Sequence, residues 1–258
     1  MTTPPLLRGL LLPDMHVPYQ DRRAWRLVMQ VASALQVAWV TILGDFLDCY
    51  ALSSHSKDPA RAARGTLLHE AAEGRRVLRE LELKVPAGTL PHVGARRKFL
   101  FGNHEVRLER YVQDNAPALK GVTSIDALLQ LTKHGWAVTP YKQHTRSGKL
   151  YQTHDVGKSG PGSAQHAVNV FQHNVVVGHT HHFEHVIEGN AEGVPHMGLT
   201  LGWLGDVRKV DYMHRIKARR KWVQMFGLAY VAPNGWTYVT PIPIIGYTCV
   251  AEGRLFRG

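Results

Sequence analysis

Ala38-Trp39-Val40-Thr41-Ile42-Leu43-Gly44-Asp45-Phe46-Leu47-Asp48 is an apolar, β-branched run that stops at a glycine and passes straight into two aspartates. Residues 38–43 read as a buried strand, with carboxylates waiting where the strand ends. Outward from this stretch the same construction recurs four times. Residues 6–12 lead to Asp14-Met15-His16, and residues 98–101 to Gly102-Asn103-His104-Glu105. Residues 149–153 lead to His154-Asp155, and residues 174–177 to Gly178-His179-Thr180-His181. Ligands of open α/β sheets collect beyond the carboxyl ends of strands, so the five segments are expected to converge on one crevice. In an extended chain, positions i and i+2 point to one side, which aims Asp14 with His16, and His179 with His181, at a common point. Gly44, Gly102 and Gly178 are expected to let the backbone turn tightly into the site.

Between these strands, residues 21–35 and 59–83 carry helical periodicity, the latter as the longest helix, and shorter helical patterns cover 105–113, 124–131 and 163–172. Further strands are expected at 136–141, 183–187 and 236–245. The first half alternates strand and helix while the second is richer in strands. That mixture predicts an α/β fold of four layers, αββα, with two mixed sheets flanked by helices. No internal repeat, linker or low-complexity tract interrupts the 258 residues, so a single domain is expected.

Composition narrows the class. Hydrophobic residues at 44% and charged residues at 20% are those of an ordinary globular chain, which excludes disordered and collagen-like readings. Cys49 and Cys249 stand far apart, which excludes a disulfide scaffold and fits a reducing compartment. The apolar run at 6–12 is interrupted by Arg8 and ended by Asp14, so it does not read as a signal peptide, and no stretch is long enough to span a bilayer. A cytoplasmic protein without a membrane partner is expected; the sequence leaves its oligomeric state open. The net charge of +11 attracts polyanions, which brings nucleic acid and other phosphorylated partners into consideration.

Sixteen histidines, several beside Gly, Asp or Asn at strand ends, point to metal or acid–base chemistry. The donors are carboxylate, imidazole and amide, with no thiolate, a set that favours Mn, Fe, Zn, Co or Ni over soft-metal sites. Two divalent cations, two aspartates and a hydroxide sum to about +1, which leaves such a site attractive to phosphate. Asn103 matters in that count, because an amide oxygen binds metal without adding negative charge.

The ordered set D-x-H, G-D-x-x-D, G-N-H-[DE], a lone H and G-H-x-H resembles the signature of the calcineurin-like metallophosphoesterase superfamily. All five parts occur in that order from Asp14 to His181, about two thirds of the chain. A narrower likeness, to phage-type metallophosphatases, rests on Pro13-Asp14-Met15-His16-Val17-Pro18-Tyr19 and on residues 44–59; it would place the protein in a host cytoplasm. The resemblance implies a hydrolase with two divalent cations, manganese foremost. It implies that Asp14, His16 and His181 hold the first, that Asn103, His154 and His179 hold the second, and that Asp45 bridges them. It further implies that His104 stabilises or protonates the leaving oxygen, that Asp48 orients His104 through a hydrogen bond, and that a bridging hydroxide attacks phosphorus.

Other readings stand beside these. Each aspartate alone could be a helix cap, and Asn103 a turn residue. His144 competes with His154 for the place of the lone histidine. His182 and His185 are expected outside the ligand set, and His69, His134, His166, His173, His196 and His214 outside catalysis. His55 is a candidate to line the substrate pocket. Gly157-Lys158-Ser159 is no P-loop, because position 152 is Gln where a glycine is required. Arg215, Lys217, Arg219, Arg220 and Lys221 form the densest basic run, ending at Trp222; a solvated face and a phosphate-backbone contact with Trp222 stacking on bases both remain open. Arg75 with Arg76, and Arg96 with Arg97 and Lys98, are expected to add further positive charge, and the sequence leaves open whether these clusters share a face. The substrate is expected to be a phosphodiester of DNA or RNA. A phosphomonoester, including a protein phosphoserine or phosphothreonine, is the alternative. Protein Ser/Thr phosphatases carry a phosphate-binding arginine where this chain has Cys49, which leaves Arg107 or Arg110 as a substitute. A nucleic-acid-binding module with a structural metal is the non-enzymatic reading.

Overall fold

Apolar strands buried on both faces build two sheets from the sequence. The computed structural model describes residues 6–53, 66–209 and 221–258. In the first sheet β1 (Leu7–Leu12), β2 (Trp39–Ile42), β5 (Arg97–Leu100) and β6 (Ala137–Thr139) run parallel, and β12 (Met225–Val231) and β13 (Thr237–Pro243) join antiparallel, in the order β13-β12-β1-β2-β5-β6. In the second, β7 (His144–Ser147), β8 (Leu150–Thr153), β9 (Val175–Val177), β10 (Glu184–Gly189) and β11 (Pro195–Thr200) lie in the order β10-β11-β9-β8-β7, parallel across β11-β9-β8 and antiparallel at both edges. Two ribbons, β3 (Thr89–Leu90) with β4 (Gly94–Ala95) and β14 (Thr248–Ala251) with β15 (Arg254–Arg257), complete the strands.

The period of two decides which side chains face which layer. Leu11, Trp39, Leu43, Met225, Ala229 and Val231 of the first sheet meet Leu150, Val176, Leu199 and Leu201 of the second in one buried cluster between the sheets. Their neighbours Leu10, Leu12, Val40, Ile42, Phe226 and Leu228 point the other way, into a core shared with the helices. Those helices are α1 (Arg22–Ala34), α2 (Leu67–Glu82), α3 (Val106–Asn115) and α4 (Ile125–Leu129). The first begins at Asp21, whose carboxylate caps Arg23 N and Ala24 N at 2.9 and 3.2 Å, and it buries Ala24, Leu27, Val28 and Val31 at helical spacing. On the far side α5 (Ser163–Phe171) covers the second sheet, packing Ala167 on Val175 and Val177. Helix, sheet, sheet, helix is the layer order expected from the sequence. None of the described helices is long and apolar enough to cross a membrane.

Several strands escaped the sequence reading. β7 is polar and pairs only at an edge, β11 begins with Pro195 and contains Gly198, and β12 is interrupted by Gly227. The cationic clusters also need correction. Arg97 is buried and donates to the carbonyls of Val85, Glu82 and His134 at 2.7, 3.0 and 2.6 Å. Lys98 is buried and donates to Val93 O and Ser147 Oγ, both at 2.6 Å, and to Arg146 O. Arg75 is engaged by Leu128 O, and Arg76 by Glu73 and Glu80. Most of this charge therefore satisfies main-chain carbonyls or acidic neighbours. His55 and residues 215–220 lie outside the described residues.

Candidate metal centre

β1, β2 and β5 are adjacent and parallel in the first sheet, as β8 and β9 are in the second, so the carboxyl ends of all five strands open at one end of the sandwich. The segments that follow them bring three overlapping groups of ligand atoms together: Asp14, His16, Asp45 and His181; Asp45, His154 and His179; and His16, Asp48 and His104. Asp45 belongs to the first two groups. Asn103 adds its amide oxygen 3.1 Å from His154 Nε2. His144 points instead to the outer face, against Tyr151 and Phe171, which removes it as a rival to His154.

The way these residues converge differs from the extended-chain expectation. Asp14, His16, Asp45, His179 and His181, five of the seven proposed ligands, have φ between 40° and 66°. Left-handed backbone costs about 1–2 kcal/mol per non-glycine residue, and such strain concentrates where a site demands a particular side-chain direction. The kinks also separate one pair: His179 faces Asp45 and His154, whereas His181 faces Asp14 and His16. The glycines need correction as well. Only Gly44 has positive φ, at 95°. At Gly102 a Cβ would strike the Asp45 carboxylate and amide, and at Gly178 it would fall 2.9 Å from Leu43 O and 3.0 Å from Asp14 Oδ2. Those two positions need close approach rather than a turn.

The groups behind two of the imidazoles orient the nitrogen that each presents. His154 Nδ1 donates to Leu43 O at 2.8 Å, which turns Nε2 to Asp45 Oδ1 at 3.4 Å. His16 Nδ1 faces the Asp48 carboxylate at 3.5 Å, while its Nε2 lies 3.1 Å from His181 Nε2, itself 3.2 Å from Asp14 Oδ1. Carboxylate or carbonyl behind, Nε2 in front, is the arrangement of metal-binding histidines. Asp14 is further fixed by the His179 amide, which donates to both its carboxylate oxygens at 3.0 and 2.9 Å. Trp203 stacks on His181 with ring centroids 5.4 Å apart, and Trp222 meets it edge-on at 4.1 Å. Buried Nε2 atoms gathered on carboxylate and amide oxygens, with no thiolate, fit a divalent cation of the borderline class.

Charge follows the same geometry. Burial alone would raise Asp45, but the imidazoles of His104, His154 and His16 around it hold it well below the ordinary carboxylate range. Burial likewise opposes a proton on His154, yet the Asp45 carboxylate overrides it and lifts the imidazole to about 10. Positive charge is thus favoured beside Asp45, and a cation that takes it over displaces a proton.

His104 is different. Its Nδ1 donates to Asp48 O at 2.8 Å, and its Nε2 accepts from Arg107 Nη2 at 2.8 Å. Burial drives it down to about 3, with Asp45 only partly offsetting that. The orienting contact expected from Asp48 is therefore made by the main chain, and the resulting tautomer carries its proton on Nδ1. Arg107 also donates to Asp48 O at 2.8 Å, which places its guanidinium beside His104.

Two acidic residues escaped the sequence reading as parts of the site. Glu105 is fully buried and accepts from Asp45 N at 3.0 Å, Leu47 N at 2.8 Å and Gly102 N at 2.7 Å, tying two motif loops together. Glu70 on α2, also fully buried, accepts from Cys49 N at 2.7 Å and Tyr50 N at 3.3 Å. A G-N-H-E tetrapeptide points to Glu105, but nothing in the sequence marks Glu70.

Among solved structures, the chain is similar to vacuolar protein sorting 29 from Cryptosporidium parvum, with 13% identity and a TM-score of 0.47 over 97% of this chain and 94% of that one. It is also similar to a single mutant of Vps29 from Entamoeba histolytica, at 11% identity and TM-score 0.45 over 96% and 95% of the two chains. Vps29 from Chaetomium thermophilum gives 11% and 0.40 over 92% and 97%. No family model and no curated protein matches the chain.

Proposed function

We propose that the chain is a metal-dependent phosphoesterase that hydrolyses phosphate esters at a dinuclear centre, with a phosphodiester of nucleic acid as its substrate. The observation that carries this reading is Asp45, one buried carboxylate common to two groups of ligand atoms. Asp14, His16 and His181 would hold one divalent cation, Asn103, His154 and His179 the other, and Asp45 both. The ions, manganese first among Mn, Fe, Zn, Co and Ni, supply Lewis-acid charge and lower the pKa of bound water.

The chain's own residues do the rest. Asp48 and the Leu43 carbonyl hold His16 and His154 with Nε2 forward. Arg107 binds a non-bridging phosphate oxygen, a role that suits a planar guanidinium. Once that oxygen engages Arg107, His104 Nε2 is released from it and would take up a proton from solvent, so that its N–H faces the leaving oxygen and stabilises or protonates it. The net charge of +11 supports a polyanionic substrate, and Trp222, which follows the basic run, lies against His181 at the edge of the centre. The narrower phage-type likeness adds a host cytoplasm as the place of action.

A phosphomonoesterase is the second reading, favoured by Arg107, whose guanidinium also suits a dianionic phosphate. Hydrolysis of bis-p-nitrophenyl phosphate and of p-nitrophenyl phosphate with manganese, each with an EDTA control, separates the two. EDTA-sensitive cleavage of the diester is expected. Cleavage of the monoester alone would assign a phosphatase, and inactivity on both with metals bound would turn the centre into the structural metal of a binding module.

A further inference from the structure

A cavity of about 360 Å³ lies at the end of the second sheet opposite the metal centre. Lys149 precedes β8 and Asn174 precedes β9, whereas His154 and His179 follow those strands. At about 3.3 Å per strand residue the two places are roughly 15 Å apart. The cavity is walled by two β-hairpin turns braced on each other: Lys149 N donates to Gly235 O at 2.8 Å, and Thr237 Oγ1 to Ser147 O at 2.8 Å.

Its lining combines cations with rings. Arg146 and Tyr151 are opposite one another in the β7–β8 register, which sets the guanidinium 5.0 Å over the Tyr151 ring. His173 stacks on the same tyrosine, with planes 14° apart and centroids at 5.5 Å. Lys149 Nζ lies 4.5 Å from the centroid of Trp236. Among the described residues no carboxylate lines the cavity, and neither Arg146 nor Lys149 forms an ion pair there, so an anion would gain both cations without displacing an acidic partner. Of the three amides of the lining, Gln172 donates its NH2 to Asn169 O at 3.0 Å, while Asn174 and Asn190 have their oxygens engaged, the first by Met197 N at 2.9 Å and the second by Glu192 N and Val194 N at 3.0 and 2.9 Å. The NH2 groups of Asn174 and Asn190 remain as donors.

We propose that this cavity is a second, non-catalytic site that binds a nucleotide unit, with its phosphate on Arg146 and Lys149 and its base against the aromatic wall of Tyr151 and Trp236. The volume is at the low end of the range for small-molecule sites, which suits one nucleotide. Cations attract the phosphate, rings stack on any base, and amide donors meet the carbonyl or ring-nitrogen edge of the base. The nucleotide is either free or one residue of a single strand.

The test uses the full chain with EDTA at about 50 mM salt, where phosphate contacts are strong. Binding of AMP is followed by titration calorimetry, and binding of a labelled oligothymidylate by fluorescence anisotropy. Saturable binding of AMP identifies a free nucleotide, and binding of the oligonucleotide alone identifies a strand. In either case the double variant Arg146→Ala/Lys149→Ala should weaken binding at least about tenfold, as should Trp236→Leu. Both variants should keep the thermal midpoint within a few degrees. Because the cavity is remote from the metal centre, the double variant should also leave hydrolysis of a small chromogenic ester unchanged. Absence of binding by both probes, or unchanged affinity in a folded double variant, overturns the proposal.

Discussion

The contact between Arg107 Nη2 and His104 Nε2 decides which proton His104 carries. Substituting each residue should give different kinetics. His104→Ala should reduce turnover by about 10²–10⁴-fold, the usual scale of a general acid or base, while metal content stays near that of the parent. Loss of the metals would mean that His104 is a ligand. Arg107→Ala should raise KM more than it lowers kcat, with kcat/KM down roughly 10–100-fold, as expected for losing a charged hydrogen bond to phosphate. Equal kinetics for variant and parent would remove Arg107 from the phosphate. At this scale the sequence was informative about residue types, since the donors Asp14 to His181 could be picked from short motifs. The Asp48 contact with His104 could not, because a main-chain carbonyl leaves no signature in side-chain identity.

Among the elements, Glu105 at the start of α3 holds the loops after β2 and β5 in register through three main-chain N–H groups. Burial and the nearby Asp45 push this carboxyl up to about 7, against the hydrogen bonds from Leu47 and Gly102. Glu105→Gln sets an NH2 group against at least one of those amides. It should lower the unfolding free energy by about 2–4 kcal/mol, since a buried donor loses its acceptor. Metal affinity should fall about 10–100-fold, the usual effect of losing support behind ligands. Denaturant titration and metal titration of the variant measure the two effects, and parent-like values in both would reduce Glu105 to a bystander. Strands that lead into the candidate ligands were legible because most of their apolar runs stop at Gly or Asp. β7 was hidden by polar edge residues, and β11 and β12 by internal glycines. The left-handed conformations of these residues were not legible either, because Asp and His, though more tolerant of positive φ than most residues, still lie mostly at negative φ.

For the whole molecule, the layer order followed from the pattern of apolar runs, but the join between the sheets did not. Lys98 reads only as further positive charge at the start of a strand, yet its ammonium reaches across to the second sheet and is met by Val93 O, Ser147 Oγ and Arg146 O. Burial draws it down to about 7. Lys98→Met should leave those acceptors unpaired and cost about 3 kcal/mol of stability, seen as a lower denaturant midpoint; an unchanged midpoint would show that the link is dispensable. The candidate metal centre is also a property of the two sheets together, because Asp14, His16, Asp45 and Asn103 follow strands of the first and His154, His179 and His181 follow strands of the second. Asp45 stands between these halves, so the most direct test is the metal content of the purified, manganese-loaded chain and of Asp45→Ala by mass spectrometry. Two ions per parent chain, with both sites depleted in the variant, are predicted from Asp45 serving both groups. One ion or none in the parent, or the same content in the folded variant, would contradict the dinuclear centre.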